Sequence, residues 1–218
     1  MSNMKELCIC GIGPGHPDYI LRAVHLEVKA ADLLVGARRQ LETFRSYAKA
    51  ELLFTGKLEQ LKQDLAHRQE EKIVVLVSGD TGFHSLRRFL QQAITNRTIR
   101  CIPGISSFQY LYAKLGLGYE NAFKASLHGT TTQFLSKLTE YESVFLLTDR
   151  QNNWKTIAGI LVDSGHSQAT MHIGNRLSYP NEQIITATAE QVLQQDFSFS
   201  LCAVIIEGVT NTKPIQHP

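Results

Sequence analysis

Short apolar runs alternate with amphipathic stretches along the first half of the chain. Residues 7–12 form the first run, and 33–35, 52–54, 73–77 and 99–102 follow; runs of this length bounded by turn residues read as buried strands. Between them Leu21, Val24, Val28 and Ala31 recur at helical spacing, and 37–47, 58–69 and 83–94 carry helical patterns, with Leu58, Leu61 and Leu65 on one face. Repeated strand-helix-strand units predict an α/β domain with a parallel-rich sheet, and the β-branched run 73–77 is the mark of a central strand covered on both faces.

A helix through Leu115 closes this half, and the stretch 115–119, Leu-Gly-Leu-Gly-Tyr, predicts the boundary between two domains, 1–117 and 118–210, with a frayed tail over 211–218. The second half is richer in strands, at 125–127, 144–148, 170–173, 183–187 and 201–206. Helices are expected near 132–140, 154–164 and 189–194. Its short connections permit antiparallel pairs, so its sheet is expected to be mixed.

Three strands of the first half end in turns built from glycine and small polar residues. Gly11, Gly13 and Gly15 follow the first, with Pro17 suited to the first turn of a helix; Ser78, Gly79, Asp80, Thr81 and Gly82 follow the fourth; Pro103, Gly104, Ser106 and Ser107 follow the fifth. In an open α/β sheet ligands gather beyond the carboxyl ends of strands, which places these turns side by side around a ligand. The first turn is no dinucleotide fingerprint: His16 stands where the third glycine belongs and Pro14 stiffens the middle, so an oxidoreductase reading ranks last.

Composition changes this picture little. The chain has 218 residues, 43% of them hydrophobic and 19% charged, with a formal charge of +2 and no basic tract, so nucleic acid is not an expected partner. No apolar stretch reaches a membrane span and the amino terminus lacks a signal-peptide layout, which predicts a cytoplasmic protein. Cys8, Cys10, Cys101 and Cys202 sit in strand-like runs, as reduced core cysteines do; alternation puts Cys8 and Cys10 on one face.

Candidate chemistry is spread over several side chains. Asp80 is suited to accept hydrogen bonds from ribose hydroxyls or to face an ammonium, or else to cap the following helix. Ser106 and Ser107 pose the same choice between ligand and cap. Arg38, Arg39, Lys124, Arg150 and Arg176 each flank a strand-to-loop junction; converging, they suit a substrate with many carboxylates. His128, at a strand end, is a pocket candidate, whereas His166 and His172 are read as surface residues across a loop. No nucleophilic triad or metal-ligand spacing is legible.

Taken together, the turns at 11–15, 78–81 and 103–107 resemble, in order and spacing, those of the tetrapyrrole methylases, and the likeness continues to 204–208. Within that family, 35–39, 125–129 and the pair Thr148-Asp149 are similar to the members that methylate carbon 5 of a corrin precursor, cobalt-precorrin-7 or its metal-free counterpart precorrin-6Y. The resemblance implies two α/β domains with S-adenosylmethionine in the trough between them, a homodimer, and a carboxylate-rich corrinoid substrate. It implies that Pro14, Gly79, Asp80, Phe83, Ser106, Ser107, Leu147 and Leu177 hold the cofactor and that Gly13 and Gly15 border the substrate. His128 and Asp149 are the candidates for moving a ring proton.

Thr130 and Gln183 depart from the subgroup, where a basic residue is frequent. In some organisms this activity is fused to an enzyme that methylates carbon 15 and decarboxylates a side chain, so a separate carbon-15 enzyme is the expected functional partner. Other readings of the same fold stay open: another precorrin carbon, diphthine, the ribose of ribosomal RNA, or a non-catalytic nucleotide sensor.

Overall fold

The structure, a computed structural model, describes residues 5–128, 133–199 and 202–208. The chain divides into two compact units, 1–107 and 108–218, an earlier break than the 115–119 stretch suggests. The frayed tail expected over 211–218 lies outside the described residues.

In the first unit β1 (Glu6–Gly11), β2 (Leu33–Gly36), β3 (Glu51–Leu53), β4 (Lys72–Val77) and β5 (Thr98–Ile102) form one sheet in the order β3-β2-β4-β1-β5. Every pairing in it is parallel. The intervening helices are α1 (Arg22–Ala30), α2 (Arg38–Phe44), α3 (Leu58–Ala66) and α4 (Arg87–Ala93). Alternation along β1 and β4 sends Cys8, Cys10, Val74 and Leu76 to one face, against Val24 and Val28 of α1 and Leu41 and Phe44 of α2. Leu7, Ile9, Ile73 and Val75 go to the other, against Leu61 and Leu65 of α3 and Leu90 of α4. Both faces are thus dry, as the unbroken apolar run of β4 requires. Cys8 and Cys10 share a face, fully buried with their sulfurs 3.6 Å apart.

The order of strands has a consequence for where a ligand fits. The chain leaves β1 toward β2 on one side and leaves β4 toward β5 on the other, and β1 and β4 are neighbours. The connections therefore part company above this pair, opening a crevice at the carboxyl ends of β1 and β4.

The second unit contains α5 (Ser107–Leu115, from Phe108 onward), β6 (Ala122–Ser126), β7 (Ser143–Leu147), α6 (Trp154–Asp163), β8 (Thr170–Asn175), β9 (Gln183–Thr188), α7 (Ala189–Leu193) and β10 (Cys202–Glu207). Its sheet, ordered β6-β7-β10-β8-β9, is mixed: β6 and β7 are parallel and the remaining pairs antiparallel. Ile157, Ala158 and Leu161 of α6 and Val192 of α7 cover one face through Val144, Leu146, Met171, Ile173, Val204 and Ile206. On α5, Phe108 meets Phe145 edge to face, and the fully buried Tyr112 shares a 2.6 Å hydrogen bond with Ser143 of β7.

Three expectations need correction. The helix expected over 83–94 begins only at Arg87, because the hydroxyl of Ser85 donates to the carbonyl of Thr81 and accepts from the amide of Arg87, and His84 stands at φ 45°; these interactions hold the segment in turns. The helix expected near 132–140 is a short 3-10 turn, Leu135–Leu138. His172 is not a surface residue: it lies buried in β8, its Nδ1 2.8 Å from Thr186 Oγ1 and its Nε2 2.9 Å from Glu207 Oε1, so two polar partners offset its burial. Among the described residues no helix is long and apolar enough to cross a membrane.

The glycine turns make the first unit intolerant of added atoms. A Cβ at Gly104 would stand 2.2 Å from the carbonyl oxygen of Gly79 and 2.7 Å from Gly11, both backbone. Gly104→Ala is expected to cost at least about 2–3 kcal/mol, at the upper end for overpacked sites, measured as the shift in urea unfolding midpoint. An unchanged midpoint would mean that these main chains are not in contact.

Candidate functional site

The three turns of the first unit meet at the crevice. Gly13 and Gly79 form an isolated antiparallel bridge, with Gly79 N–H donating to Gly13 O at 2.8 Å and Gly13 N–H to Gly79 O at 3.2 Å. A Cβ on Gly11 would meet Gly104 N and Gly79 O at 2.7 Å each, so the first, fourth and fifth strands deliver their turns into mutual backbone contact.

Asp80 fastens them. Its Oδ1 accepts from Gly82 N–H at 2.7 Å, and its Oδ2 accepts from Gly104 N–H at 3.1 Å. The capping role read from the sequence does not hold, because α4 starts too late for Asp80 to cap it; the carboxylate joins two turns instead. Each oxygen keeps a further lone pair. Beside it Phe83 is half-buried, edge to face with His84 at 4.7 Å. Ser106 is buried behind Gly79, and Ser107 opens α5. Pro14 and Gly15 are partly exposed on the first turn. Of the predicted cofactor positions, the structure therefore brings together Pro14, Gly79, Asp80, Ser106 and Ser107.

Arg38 and Arg39 open α2 at the same end of the sheet, both exposed. Arg39 Nη2 lies 3.4 Å from Ser78 Oγ, and Gln40 Nε2 donates to that hydroxyl at 3.0 Å while Gln40 Oε1 accepts from Ala37 N–H. Gln40 thus ties the α2 entry to the fourth-strand turn. A glutamine three residues past a helix entry is its only signal in the sequence.

In the second unit the carboxyl ends of β6, β7 and β8 and the starts of β9 and β10 share one end of the sheet. Leu147 is level with Ser126 and Ala203, and Asn175 with Cys202 and Gln183. His128 lies exposed just past β6. Leu127 N–H donates to Leu147 O at 2.9 Å. Asp149 is part of the same knot: Oδ1 accepts from the amides of Gln151 and Asn152, and Asn152 Nδ2 reaches both Asp149 Oδ2 and Leu127 O.

Of the other predicted residues here, Lys124 and Leu177 are engaged structurally. Lys124 donates to the carbonyls of Tyr119 and Ala122 and lies over the rings of Phe108 and Tyr119. Arg150 is exposed. Leu177 is buried and folds back on Gly174, where a Cβ would stand 2.6 Å from its Cδ2. Thr130 lies outside the described residues.

The loop from β8 to β9 carries two side chains at positive φ, Arg176 at 50° and Ser178 at 69°. Glu182 holds it: Oε2 accepts from Ser178 N–H at 2.5 Å and Oε1 lies 3.0 Å from Lys114 Nζ of α5. Burial alone would raise the Glu182 carboxyl, but hydrogen bonds from Ser178, Tyr110 and Lys114 prevail and hold it below its ordinary value. Glu182, too, is a structural tie that periodicity does not reveal.

Among the described residues one group has metal-ligating spacing, Glu6, Cys8 and Glu27. Arg100 Nη2 lies 2.7 Å from both carboxylates and Lys72 Nζ 2.9 Å from Glu27. Two cations already neutralise it, which makes it an ion-pair network.

Comparison with known proteins matches residues 6–193 to the family model described as Tetrapyrrole (Corrin/Porphyrin) Methylases. The chain is 32% identical over 210 residues to a probable cobalt-precorrin-7 C(5)-methyltransferase of Methanocaldococcus jannaschii, covering 92% of this chain and 97% of that protein. It is 31% identical to the cobalt-precorrin-7 C(5)-methyltransferase of Salmonella typhimurium, over 82% of this chain and 88% of the relative. A precorrin-6Y C(5,15)-methyltransferase (decarboxylating) of a Sinorhizobium species is 26% identical, matched over 81% of this chain but only 44% of its own length.

Two solved structures share the fold. A precorrin-6Y methylase of Archaeoglobus fulgidus superposes with a TM-score of 0.73 at 18% identity, covering 93% of this chain and 98% of that one. A uroporphyrin-III C-methyltransferase of Thermus thermophilus complexed with S-adenosylhomocysteine gives 0.73 at 21%, covering 93% and 97%.

The depressed Glu182 carboxyl gives stability a pH signature. Its contribution is complete above the unfolded-state value near 4.5 and is lost as pH falls through the lower folded-state value. Glu182→Gln is therefore expected to unfold about 1–2 kcal/mol more easily at neutral pH. The gap from the unsubstituted chain should narrow below pH 4.5, as followed by urea unfolding across pH 3 to 7 (roughly the carboxylate range and above). A gap that widened on acidification would reverse the assigned direction.

Proposed function

The chain belongs to the tetrapyrrole (corrin/porphyrin) methylases, a family of methyltransferases, and on that premise we propose that it methylates carbon 5 of cobalt-precorrin-7, or of its metal-free counterpart, using S-adenosylmethionine. The observation that carries this reading is the near full-length likeness, at 31–32% identity, to two carbon-5 methyltransferases. The crevice above β1 and β4 supports it. Oxygen acceptors crowd there, with the carbonyls of Gly13 and Gly79 beside the Asp80 carboxylate, while Gly79 and Gly104 present bare backbone. That acceptor set suits a cationic ligand whose hydroxyl and ammonium groups donate, and offers no phosphate cradle.

The sulfonium supplies an electrophilic methyl with a good leaving group, so the work left to the protein is alignment. In this reading Pro14, Gly79, Asp80, Phe83, Ser106 and Ser107, with Leu147 and Leu177, hold the adenosine and methionine portions. Gly13 and Gly15 border the macrocycle, and Arg38, Arg39, Lys124 and Arg150 lie toward its carboxylates. Of the two groups considered for moving a ring proton, His128 is the better placed: its ring makes no hydrogen bond to a described residue, whereas Asp149 has committed both oxygens to its own turn. A homodimer, a cytoplasmic location and a separate carbon-15 methyltransferase as functional partner complete the proposal; the longer Sinorhizobium relative joins both activities in its name.

Incubation with cobalt-precorrin-7 and carbon-13-methyl S-adenosylmethionine is expected to release S-adenosylhomocysteine and give one labelled methyl at carbon 5, located by nuclear magnetic resonance. A label at another carbon, or binding without turnover, would refute the assignment. Asp80→Ala leaves the Gly104 amide unpaired and is expected to weaken S-adenosylhomocysteine binding about tenfold and to cost about 1–3 kcal/mol of stability. Calorimetry and denaturation measure the two effects separately.

A further inference from the structure

The second unit has a polar depression of about 410 Å³ at the β8–β9 end of its sheet, lined by Asn175, Arg176, Asn181, Glu182, Gln183 and Ser198. Several polar groups in this lining have no partner among the described residues. The Arg176 guanidinium, exposed at the rim, makes no hydrogen bond or ion pair to any described residue, and the side chains of Asn181 and Ser198 likewise have no described partner. Gln183 uses only its oxygen, which receives a long 3.4 Å contact from Asn175 Nδ2, so its amide hydrogens stay available. The acid in the lining does not oppose an anion, because Glu182 directs its oxygens to Ser178 N–H and to Lys114 Nζ.

The backbone is committed as well. Arg176 holds a left-handed conformation at φ 50°, and Ser178 does so at 69°. Side chains rarely adopt this region, and strain of this kind persists only where surrounding contacts impose it. Glu182 supplies those contacts, so the arginine is presented from a fixed loop. Asn175 and Gln183 are register partners, and across β10 the level of Leu147 on β7 lies two strand spacings from β8, about 10 Å.

We propose that this depression is a subsite for one carboxylate of the tetrapyrrole rim, received by the Arg176 guanidinium with Asn181, Gln183 and Ser198 as neutral donors. A planar guanidinium matches a carboxylate with two parallel hydrogen bonds, and neutral amide and hydroxyl donors complete its remaining lone pairs. The inference rests on the corrinoid reading and adds the residue that grips the ring on this unit. It also gives Gln183 a role: as a neutral donor it leaves Arg176 as the charge of the subsite.

The test uses the full chain and two stable corrins: cobyrinic acid, which carries free carboxylates, and cobyric acid, the same ring with all but one of them amidated. Arg176→Gln is expected to weaken cobyrinic acid binding about tenfold, with cobyric acid and S-adenosylhomocysteine binding unchanged. Arg176→Lys should restore part of the loss, since charge returns without the fork. An unaltered thermal midpoint in both variants excludes a folding defect.

Equal losses for both corrins, or none for either, would overturn the subsite while leaving the carbon-5 assignment standing. Citrate bound by the unsubstituted chain and lost in Arg176→Gln, with cobyrinic acid unaffected, would mark a free-anion site and overturn it too. Failure of the unsubstituted chain to bind any corrin would strike down both proposals together.

Discussion

Three main chains touch at Gly11, Gly79 and Gly104, and most of what the first unit offers a ligand follows from that contact. A Cβ at Gly11 or Gly104 would stand within 3 Å of foreign backbone, so the closeness exists only because no side chain intervenes. It also fixes what the glycines are for. They are used by one another, which explains why the first turn looks like a phosphate-binding fingerprint yet lacks its third glycine. With backbones this close, amides risk being stranded, and Asp80 answers that need by accepting from Gly104 while closing its own turn with Gly82.

The second unit solves its positioning problem by other means. Its hairpins and mixed strands bring five strand ends to one edge, and the loops there are tied by side chains. Asn152 bridges Leu127 and Asp149, Asp149 closes its own turn, and Glu182 gathers Ser178 and Lys114. These ties are charge-assisted or multiply bonded, which makes them stiff despite partial exposure. Asp149, which the sequence suggested for chemistry, also closes one of these loops.

Legibility in the sequence divides along the same line. The strands of the first unit appear within a residue or so of where apolar runs place them, because burial on both faces leaves a continuous signal. The meeting of three turns was also legible, since parallel strands order their carboxyl ends together. What escaped was set by single polar contacts: the late start of α4, imposed by Ser85 on Thr81 and Arg87, and the burial of His172 between Thr186 and Glu207. Neither leaves a periodic trace. Asp80 shows the limit most clearly, for the sequence offered a helix cap as one of its roles, and the carboxylate joins two turns in place of that cap.

This division bears on how one fold distinguishes substrates. Proteins that superpose on this chain with a TM-score of 0.73 share only 18–21% of its residues, and by name they act on different tetrapyrroles. The first-unit crevice is made of backbone in mutual contact, where almost any substitution collides, so it has little room to encode a preference. The sheet end of the second unit is different: Arg176 stands on a loop whose shape Glu182 secures independently of it, and Gln183 opens β9 beside it. Side chains there can change without moving the frame. Discrimination between macrocycles that differ in the placement of carboxylates is therefore expected to reside in such donors, while the glycine turns keep their own backbone frame unchanged.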